Sequence, residues 1–106
     1  MTNLLHGADA LAQLQQESTK PILVKFVAPH CPSCETLAPV LEKLQLDRPD
    51  DFHLVSIDMT EDVEIAIKFK VRSAPTVVLL KGEEVKDKVA GLKPKKFYDD
   101  LINQAV

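Results

Sequence analysis

The residues of this chain best suited to covalent chemistry are its only two cysteines, which stand in one tetrapeptide, Cys31-Pro32-Ser33-Cys34. With two residues between them, the thiols can close a small disulfide ring at low conformational cost. The apolar run 22–27 before the pair predicts a buried strand. Apolar residues at helical spacing follow the pair, namely Leu37, Val40, Leu41 and Leu44. A thiol between a strand and a helix N-terminus is well placed to have a lowered pKa.

Composition limits the classes of protein to which the chain can belong. Its length of 106 residues and apolar content of 45% predict one globular domain, residues 1–106, with a core of its own. The net charge of -3 and the lack of a basic arm indicate that nucleic acid is not a partner. No apolar run reaches the roughly 20 residues of a membrane helix, and the N-terminus lacks a signal-peptide pattern. We therefore expect a cytoplasmic location and no membrane association.

Hydrophobic periodicity predicts strands and helices in alternation. The first half requires parallel crossovers, whereas the last two strands form an antiparallel hairpin around Gly82-Glu83. The fold class is therefore α/β, a mixed central sheet flanked by helices on both faces. The predicted strands are a short one at Leu4-Leu5 and longer ones at 22–27, 52–58, 76–80 and 84–89, and the predicted helices start near Ala8, after the cysteines, after Thr60 and at Pro94.

The two last helices carry specific predictions. Thr60 is expected to cap the third helix, while Asp58 at the preceding strand end caps the turn. The inner face of the third helix is predicted to hold Val63, Ala66 and Ile67. The inner face of the last helix is predicted to hold Phe97, Leu101, Ile102 and Ala105. Pro39 lies inside the second helix and is expected to kink it.

Several segments together resemble the thioredoxin family. A lone Cys-x-x-Cys is a weak signal, but the same motif ahead of an Ala-Pro-Thr, with strands and helices in this order, is a specific one. The matching segments are 24–28, Leu37-Ala38-Pro39, Ser56-Ile57-Asp58, 69–76, Lys81-Gly82-Glu83 and Val89-Ala90-Gly91. The resemblance implies a thioredoxin fold and a protein-disulfide oxidoreductase that acts through a Cys31/Cys34 dithiol.

The chain departs from the family at four places around the cysteines. His30 stands where thioredoxins usually have Trp, and Pro32-Ser33 replaces Gly-Pro. Lys25 replaces the buried Asp of the preceding strand, and Glu35 follows the second cysteine where Lys is frequent. These differences suggest a site that is tuned differently from that of a typical thioredoxin.

The roles follow from position and from the resemblance. Cys31, at the helix start, is expected to be the nucleophile, and Cys34, one turn further, is expected to resolve the mixed disulfide. A charged His30 would favour the Cys31 thiolate. Pro32 suits the first helical turn, and Ser33 can donate a hydroxyl to a thiolate. Stabilising the reduced form in this way would make the protein more oxidising.

The resemblance also implies a substrate groove. Pro75 is expected to have a cis peptide bond, with the Ala74 backbone offering an edge to the substrate and Gly91 contributing to the rim. Lys25 has three interpretations: it stabilises the Cys34 thiolate, it acts as a base after losing its proton, or its stem packs on the sheet while its ammonium reaches water.

The expected partners are disulfide-containing proteins, with a thioredoxin-reductase-type protein or a small thiol as electron donor, and the expected state is a monomer. No nicotinamide or flavin motif is present, so no cofactor is expected. An oxidase or isomerase is the alternative within the class. Two further alternatives use the same cysteines or groove, a redox-inactive binding module and a metal carrier.

Overall fold

The sheet and its helices are seen in a computed structural model, which describes residues 4–105. Nine elements alternate in the predicted order. They are β1 (Leu4–His6), α1 (Gly7–Glu17), β2 (Ile22–Val27), α2 (Pro32–Asp47), β3 (His53–Asp58), α3 (Val63–Lys68), β4 (Thr76–Lys81), β5 (Glu84–Ala90) and α4 (Lys95–Ala105). The α/β class and the predicted order of elements are confirmed.

The five strands form one mixed sheet in the order β1-β3-β2-β4-β5. β1 and β2 pair with β3 in parallel, whereas β4 runs antiparallel to both β2 and β5. Phe26 is opposite Thr76 in the β2/β4 ladder, and Val27 is opposite Asp58 in the β2/β3 ladder. The carboxyl end of β2 and the start of β4 therefore lie at the same end of the sheet, where the cysteines follow.

Each face of the sheet has its own apolar core, because successive side chains of a strand point to opposite faces. Leu23 of β2 belongs to the core under α2 and α4, whereas its neighbours Ile22 and Val24 belong to the core under α1 and α3. The α2/α4 core consists of Leu23, Leu37, Leu41, Leu44, Phe52, Leu54, Val77, Leu79, Val89, Tyr98, Leu101 and Ile102. Burial on both faces explains why β2 is apolar at every position except Lys25.

Three details of the last two helices differ from the predictions. Thr60 does not cap α3; its hydroxyl donates to Asp58 Oδ1 at 2.6 Å, and its amide donates to the same oxygen at 2.8 Å. The predicted role of Asp58 at the turn is confirmed. The N-cap of α3 is Asp62, with no side-chain hydrogen bond. Thr60 lies too far ahead of this late-starting helix to serve as its cap.

The inner faces were only partly predicted. Ala66 is buried as expected, but Val63 and Ile67 are 50% and 70% exposed. On α4, Leu101 and Ile102 are buried and Ala105 packs against the core, but Phe97 is 38% exposed. Tyr98 is the fully buried aromatic residue instead, and its hydroxyl accepts a hydrogen bond from the Lys93 amide at 3.3 Å.

Candidate active site

Cys31 and Cys34 are joined by a disulfide at the start of α2, with their Cα atoms 5.2 Å apart. Cys31 is the N-cap residue of the helix, with extended backbone angles. Its Sγ accepts a hydrogen bond from the Cys34 amide at 3.2 Å, so the sulfur takes the place that a Ser or Asp oxygen has in most caps. A sulfur in this position receives both an N–H donor and the positive end of the helix dipole.

The two sulfur-bearing residues differ in exposure. Cys31 is partly exposed, whereas Cys34 is only 6% exposed and lies one turn inside the helix. Because α2 packs on the sheet through the same side that carries Leu37 and Leu41, the residue one turn earlier on that side is also covered. An incoming group can therefore approach Cys31 from solvent, but it cannot readily approach Cys34.

The residues between and before the cysteines form the exposed surface of the site. Pro32 is the first residue of α2, where its missing N–H leaves no hydrogen bond unmade. Ser33 is exposed. His30 is exposed as well and has a φ of 57°, in the left-handed region that a non-glycine residue rarely adopts. His30, Pro32 and Ser33 are neighbours of Cys31 in sequence, and all three are exposed.

The segment before β4 lies at the same end of the sheet as the cysteines. The Ala74–Pro75 peptide bond is cis, which confirms the conformation that the resemblance implied. Gly91, with a φ of 87°, donates its amide to the Pro75 carbonyl at 2.9 Å. Ala74 is partly exposed and Pro75 is buried. Ala74, Pro75 and Gly91 therefore meet in the structure, although they are separated in sequence.

Two residues that hold this segment were missed by the sequence reasoning. The Thr76 hydroxyl donates to the Ser73 carbonyl at 2.7 Å and so spans the Ala74–Pro75 peptide bond. Thr76 is buried, so this internal partner replaces the water that its hydroxyl would otherwise contact. The signal in the sequence was the tendency of a Thr hydroxyl to bind a backbone carbonyl a few residues away.

Lys25 is the unusual charged residue near the site. It lies in β2 on the face that packs against α2, and only 5% of it is exposed. Within the described residues, its ammonium has no hydrogen bond or ion pair closer than 4 Å. Burial lowers the pKa of Lys25, and the charge of Glu42 on α2 opposes that effect. The ammonium nitrogen is not fully buried, so the 5% of Lys25 that remains exposed includes the charged end of the side chain.

The described residues contain neither a cluster suited to a metal ion nor a membrane-spanning helix. Between residues 4 and 105, no three His, Cys, Asp or Glu side chains are arranged to hold a metal ion. In the same range, none of the helices has the length and apolar character required to cross a bilayer.

A disulfide closed at the N-terminus of a helix and facing solvent through one sulfur defines the class as the thiol–disulfide oxidoreductases. Comparisons with known proteins agree. The family model for thioredoxin matches residues 5–104. Thioredoxin from Bacillus subtilis is 41% identical over 83 residues, which cover 78% of this chain and 80% of that protein.

Two further comparisons extend this result. NADPH-dependent thioredoxin reductase 3 from Arabidopsis thaliana is 38% identical over 91% of this chain, although the match covers 18% of that protein. The crystal structure of thioredoxin NaTrxh from Nicotiana alata superposes with a TM-score of 0.86 at 25% identity, covering 98% of this chain and 93% of the other.

The chain belongs to the thioredoxin family. It has the thioredoxin fold and is a protein-disulfide oxidoreductase that uses its redox-active cysteine pair. Membership implies disulfide-containing proteins as substrates and a thioredoxin reductase as a partner.

Proposed function

We propose that this protein reduces disulfides in other proteins, with Cys31 as the attacking thiol and Cys34 as the resolving thiol. One observation carries the assignment: Cys31 is partly exposed at the helix N-cap, whereas Cys34 is 6% exposed one turn inside α2. An attacking sulfur must meet a bulky substrate, but a resolving sulfur needs to meet only its neighbour. The difference in exposure supports this division of roles.

The reaction proceeds in two exchange steps. The Cys31 thiolate attacks one sulfur of the substrate disulfide, whose S–S bond breaks while a Cys31–substrate disulfide forms. The second substrate sulfur leaves as a thiolate and takes a proton from water. The Cys34 thiolate then attacks Cys31 Sγ, closes the Cys31–Cys34 disulfide and releases the first substrate sulfur. Two electrons have passed from the protein dithiol to the substrate.

The groove beside Cys31 is proposed to hold the substrate chain. Ala74 offers backbone hydrogen-bonding groups at the end of the sheet, Pro75 shapes the floor and Gly91 forms the rim. The hydrogen bond from the Gly91 amide to the Pro75 carbonyl at 2.9 Å supports this arrangement, because it fixes the two segments against each other. An extended substrate segment would add to the exposed backbone as a short strand does.

The neighbours of Cys31 are proposed to set its reactivity. His30 brings a titratable ring beside the attacking sulfur, Pro32 fixes the first helical turn, and Ser33 presents a hydroxyl near the thiolates. All three surround the N-cap sulfur that already accepts the Cys34 amide at 3.2 Å. Each feature that stabilises the thiolate also stabilises the reduced form, so it raises the reduction potential.

Lys25, which lies in the sheet below α2, is proposed to promote deprotonation of the Cys34 thiol. A buried amine whose pKa is lowered by desolvation releases its proton more readily than an exposed lysine does. While it is charged, the Lys25 ammonium favours the Cys34 thiolate; after it has lost its proton at higher pH, the amine can accept the proton of the Cys34 thiol before the second exchange. This role would show as a changed pH dependence of the resolving step in Lys25→Met, with the first step unaffected.

The proposed setting is that of a cytoplasmic monomer, acting as one domain over residues 1–106. Both cysteines belong to the reactive motif, which is the usage typical of reducing compartments. The electron donor is proposed to be a thioredoxin reductase or a small thiol. The similarity to part of NADPH-dependent thioredoxin reductase 3 supports the first of these donors.

Equilibration in graded glutathione buffers, followed by trapping of free thiols, tests the direction of electron flow. A reductase is expected to have a midpoint on the order of -260 mV or lower. A midpoint well above the cytosolic glutathione poise would assign the protein as an oxidase or isomerase. If no internal disulfide formed at any ratio, the proposal would be wrong in either direction.

Single-cysteine variants test the roles of the two sulfurs. Reduced Cys34→Ser is expected to accumulate a stable mixed disulfide with a disulfide-containing peptide, because the resolving thiol is missing. Cys31→Ser is expected to accumulate none on the same time scale. Equal accumulation in both variants would contradict the assignment.

A further inference from the structure

A basic surface cavity lies next to the proposed substrate groove and has no role in the disulfide exchange itself. Its volume is about 220 Å³, and three cationic residues line it: Lys70, Arg72 and Lys88. Ser73 and Thr76 line it as well, one on each side of the Ala74–Pro75 peptide bond. The cavity therefore begins where the proposed substrate-binding backbone ends.

The positive charge of this cavity is not neutralised by the protein. Among residues 4–105, no carboxylate lies within 4 Å of the charged atoms of Lys70, Arg72 or Lys88. The Lys88 ammonium donates only to backbone carbonyls, that of Lys70 at 3.1 Å and that of Phe69 at 3.5 Å. The chain as a whole has a net charge of -3, so this cluster opposes the overall sign.

The nearest acidic neighbour along β5 faces away from the cavity. Asp87 is opposite Leu79, whose side chain belongs to the α2/α4 core, whereas Lys88 is opposite Val78, which belongs to the other core. Side chains of adjacent strand residues point to opposite faces. The carboxylate of Asp87 therefore lies on the far side of the sheet edge, where it accepts the Lys88 amide at 2.8 Å.

The backbone on both sides of the cavity is held in place. Lys70 has a φ of 58°, and its amide donates to the Ile67 carbonyl at 3.0 Å. Lys88 ties β5 to the Lys70 carbonyl across the cavity. A non-glycine residue in the left-handed region costs roughly 1–2 kcal/mol, so the turn at Lys70 is supported by its surroundings.

We propose that this cavity binds an acidic side chain of the substrate protein, two to four residues from the cysteine under attack. The inference rests on the proposed function, since it assumes that the substrate chain passes over Ala74. Arg72 lies two residues before Ala74, and a strand advances about 3.3 Å per residue. An extended substrate chain therefore places the side chain that lies two to four residues from the attacked cysteine at the cavity. A carboxylate suits the cavity because three cations that lack a carboxylate partner among residues 4–105 attract an anion, and no buried array of donors selects the geometry of a phosphate.

Two matched peptides test the proposal. Each peptide contains one internal disulfide. The two peptides differ only at the positions two, three and four residues from the first cysteine on either side, which are Glu in one peptide and Gln in the other. The second-order rate constant for oxidation of the pre-reduced protein is measured at low salt with acid quenching and thiol trapping. Reaction of the neutral Gln peptide reports the proposed function alone, so failure of the two proposals can be told apart.

The reduced wild-type protein is expected to react about fivefold faster with the Glu peptide, because one close unit-charge contact in water is worth about 1 kcal/mol. The preference is expected to disappear at 1 M salt, where the Debye length falls to about 3 Å. Lys70→Glu and Arg72→Glu are each expected to remove or reverse it. The rate constant for the Gln peptide is measured with each variant as the reference, so the preference is the Glu-to-Gln ratio within one variant.

The matched control is Lys81→Glu, which makes the same change in net charge at the opposite end of β4, about 17 Å from Thr76 at the usual rise of a strand. It is expected to keep the preference. Equal rate constants for the two peptides with wild-type protein would overturn the proposal. A preference that persisted in both Lys70→Glu and Arg72→Glu would overturn it as well. Lack of reaction with either peptide would instead overturn the proposed function.

Discussion

The Arg48 guanidinium binds Asp99 in two ways, with Nη1 2.7 Å from Oδ1 and 3.2 Å from the Asp99 carbonyl. Its Nε donates at the same time to Asp51 Oδ2 at 2.8 Å. One side chain at the end of α2 therefore holds the following turn and the middle of α4. The start of α2 carries the cysteines, so this contact anchors the far end of the helix that carries the site.

Arg48→Ala is expected to lower the free energy of unfolding by about 1–2 kcal/mol, because the Arg48 side chain is only 17% exposed and makes three hydrogen bonds. Denaturant unfolding measures the loss. Lys95→Gln is the matched control, since the exposed Lys95–Asp47 pair also joins α4 to α2. It is expected to cost under about 1 kcal/mol. Equal losses in the two variants would contradict the distinction drawn from burial.

Replacing Lys25 with an apolar residue of similar length is expected to stabilise the protein. At neutral pH, Lys25→Met should raise the free energy of unfolding by about 1 kcal/mol, because it removes a largely buried side chain whose cation keeps little contact with water and has no close partner among residues 4–105. Burial lowers the pKa of Lys25 below its ordinary 10.5, so the native state loses this proton before the unfolded state does. The destabilisation of the wild-type protein by charged Lys25 is therefore complete at neutral pH, and it shrinks as the pH rises through the lowered pKa toward 10.5.

The measurement for Lys25 is the difference in free energy of unfolding between Lys25→Met and wild type, taken from pH 7 to 10.5. Lys43→Met replaces an exposed lysine of α2 and is expected to stay within about 0.5 kcal/mol of wild type at neutral pH. If the excess stability of Lys25→Met over wild type grew as the pH rose, the predicted direction of the pH dependence would be wrong.

His53 is expected to make the fold sensitive to mild acid. Burial and the nearby Lys20 lower the pKa of His53 below 6.5, and its Nε2 lies 2.9 Å from Ser18 Oγ. A lowered pKa means that folding favours the neutral ring. The contribution of His53 to the free energy of unfolding is therefore complete above pH 6.5 and is lost as the pH falls through the pKa of the folded state.

The free energy of unfolding of wild type should therefore fall more steeply between pH 7.5 and 5 than that of His53→Gln. An NMR titration of the His53 ring gives an independent check. A ring midpoint at or above 6.5 in the folded protein would refute the proposed acid sensitivity.

Ser33→Ala is expected to make the dithiol more reducing. If the hydroxyl stabilises a thiolate by about 1 kcal/mol, its loss shifts the midpoint by about -20 mV, at 30 mV for each 1.4 kcal/mol. The glutathione titration described above measures this shift. Ser33→Thr keeps the hydroxyl and serves as the control. A midpoint that moved upward in Ser33→Ala, or equally in both variants, would argue against a role for the hydroxyl.

Much of the fold was predictable because it depends on patterns that a sequence displays directly. Apart from Lys25, the run 22–27 is apolar on both faces, and the structure places it between two cores. Leu37, Leu41 and Leu44 repeat at helical spacing and all face the α2/α4 core. Such patterns leave only one arrangement that buries their apolar surface.

The failures fall where two neighbouring residues compete for one inward position. Phe97 and Tyr98 are adjacent on α4, and periodicity alone favoured the more apolar residue. The structure buries Tyr98 because its hydroxyl finds the Lys93 amide, a partner that lies outside the helix. Similarly, Ile67 is 70% exposed because α3 is only six residues long and turns the smaller Ala66 toward the sheet.

The candidate site was predicted in part from the residues and in part from resemblance. The position of the cysteines at the start of α2 follows from the strand and helix patterns around them. The meeting of Gly91 with Pro75, through an amide-to-carbonyl bond of 2.9 Å, depends on the pairing of β5 with β4 and has no local signature. The cavity formed by Lys70, Arg72 and Lys88 arises in the same way, from segments that only the sheet brings together.

The strand order also bears on how these molecules behave when crowded together. β5 closes one side of the sheet, and six of its seven residues are exposed, among them Lys86, Asp87 and Lys88. At the opposite side, β1 has three residues in the described range. Charged side chains and short strands discourage edge-to-edge pairing between chains. The same lysine that ties β5 to the Lys70 carbonyl thus belongs to a border that resists aggregation.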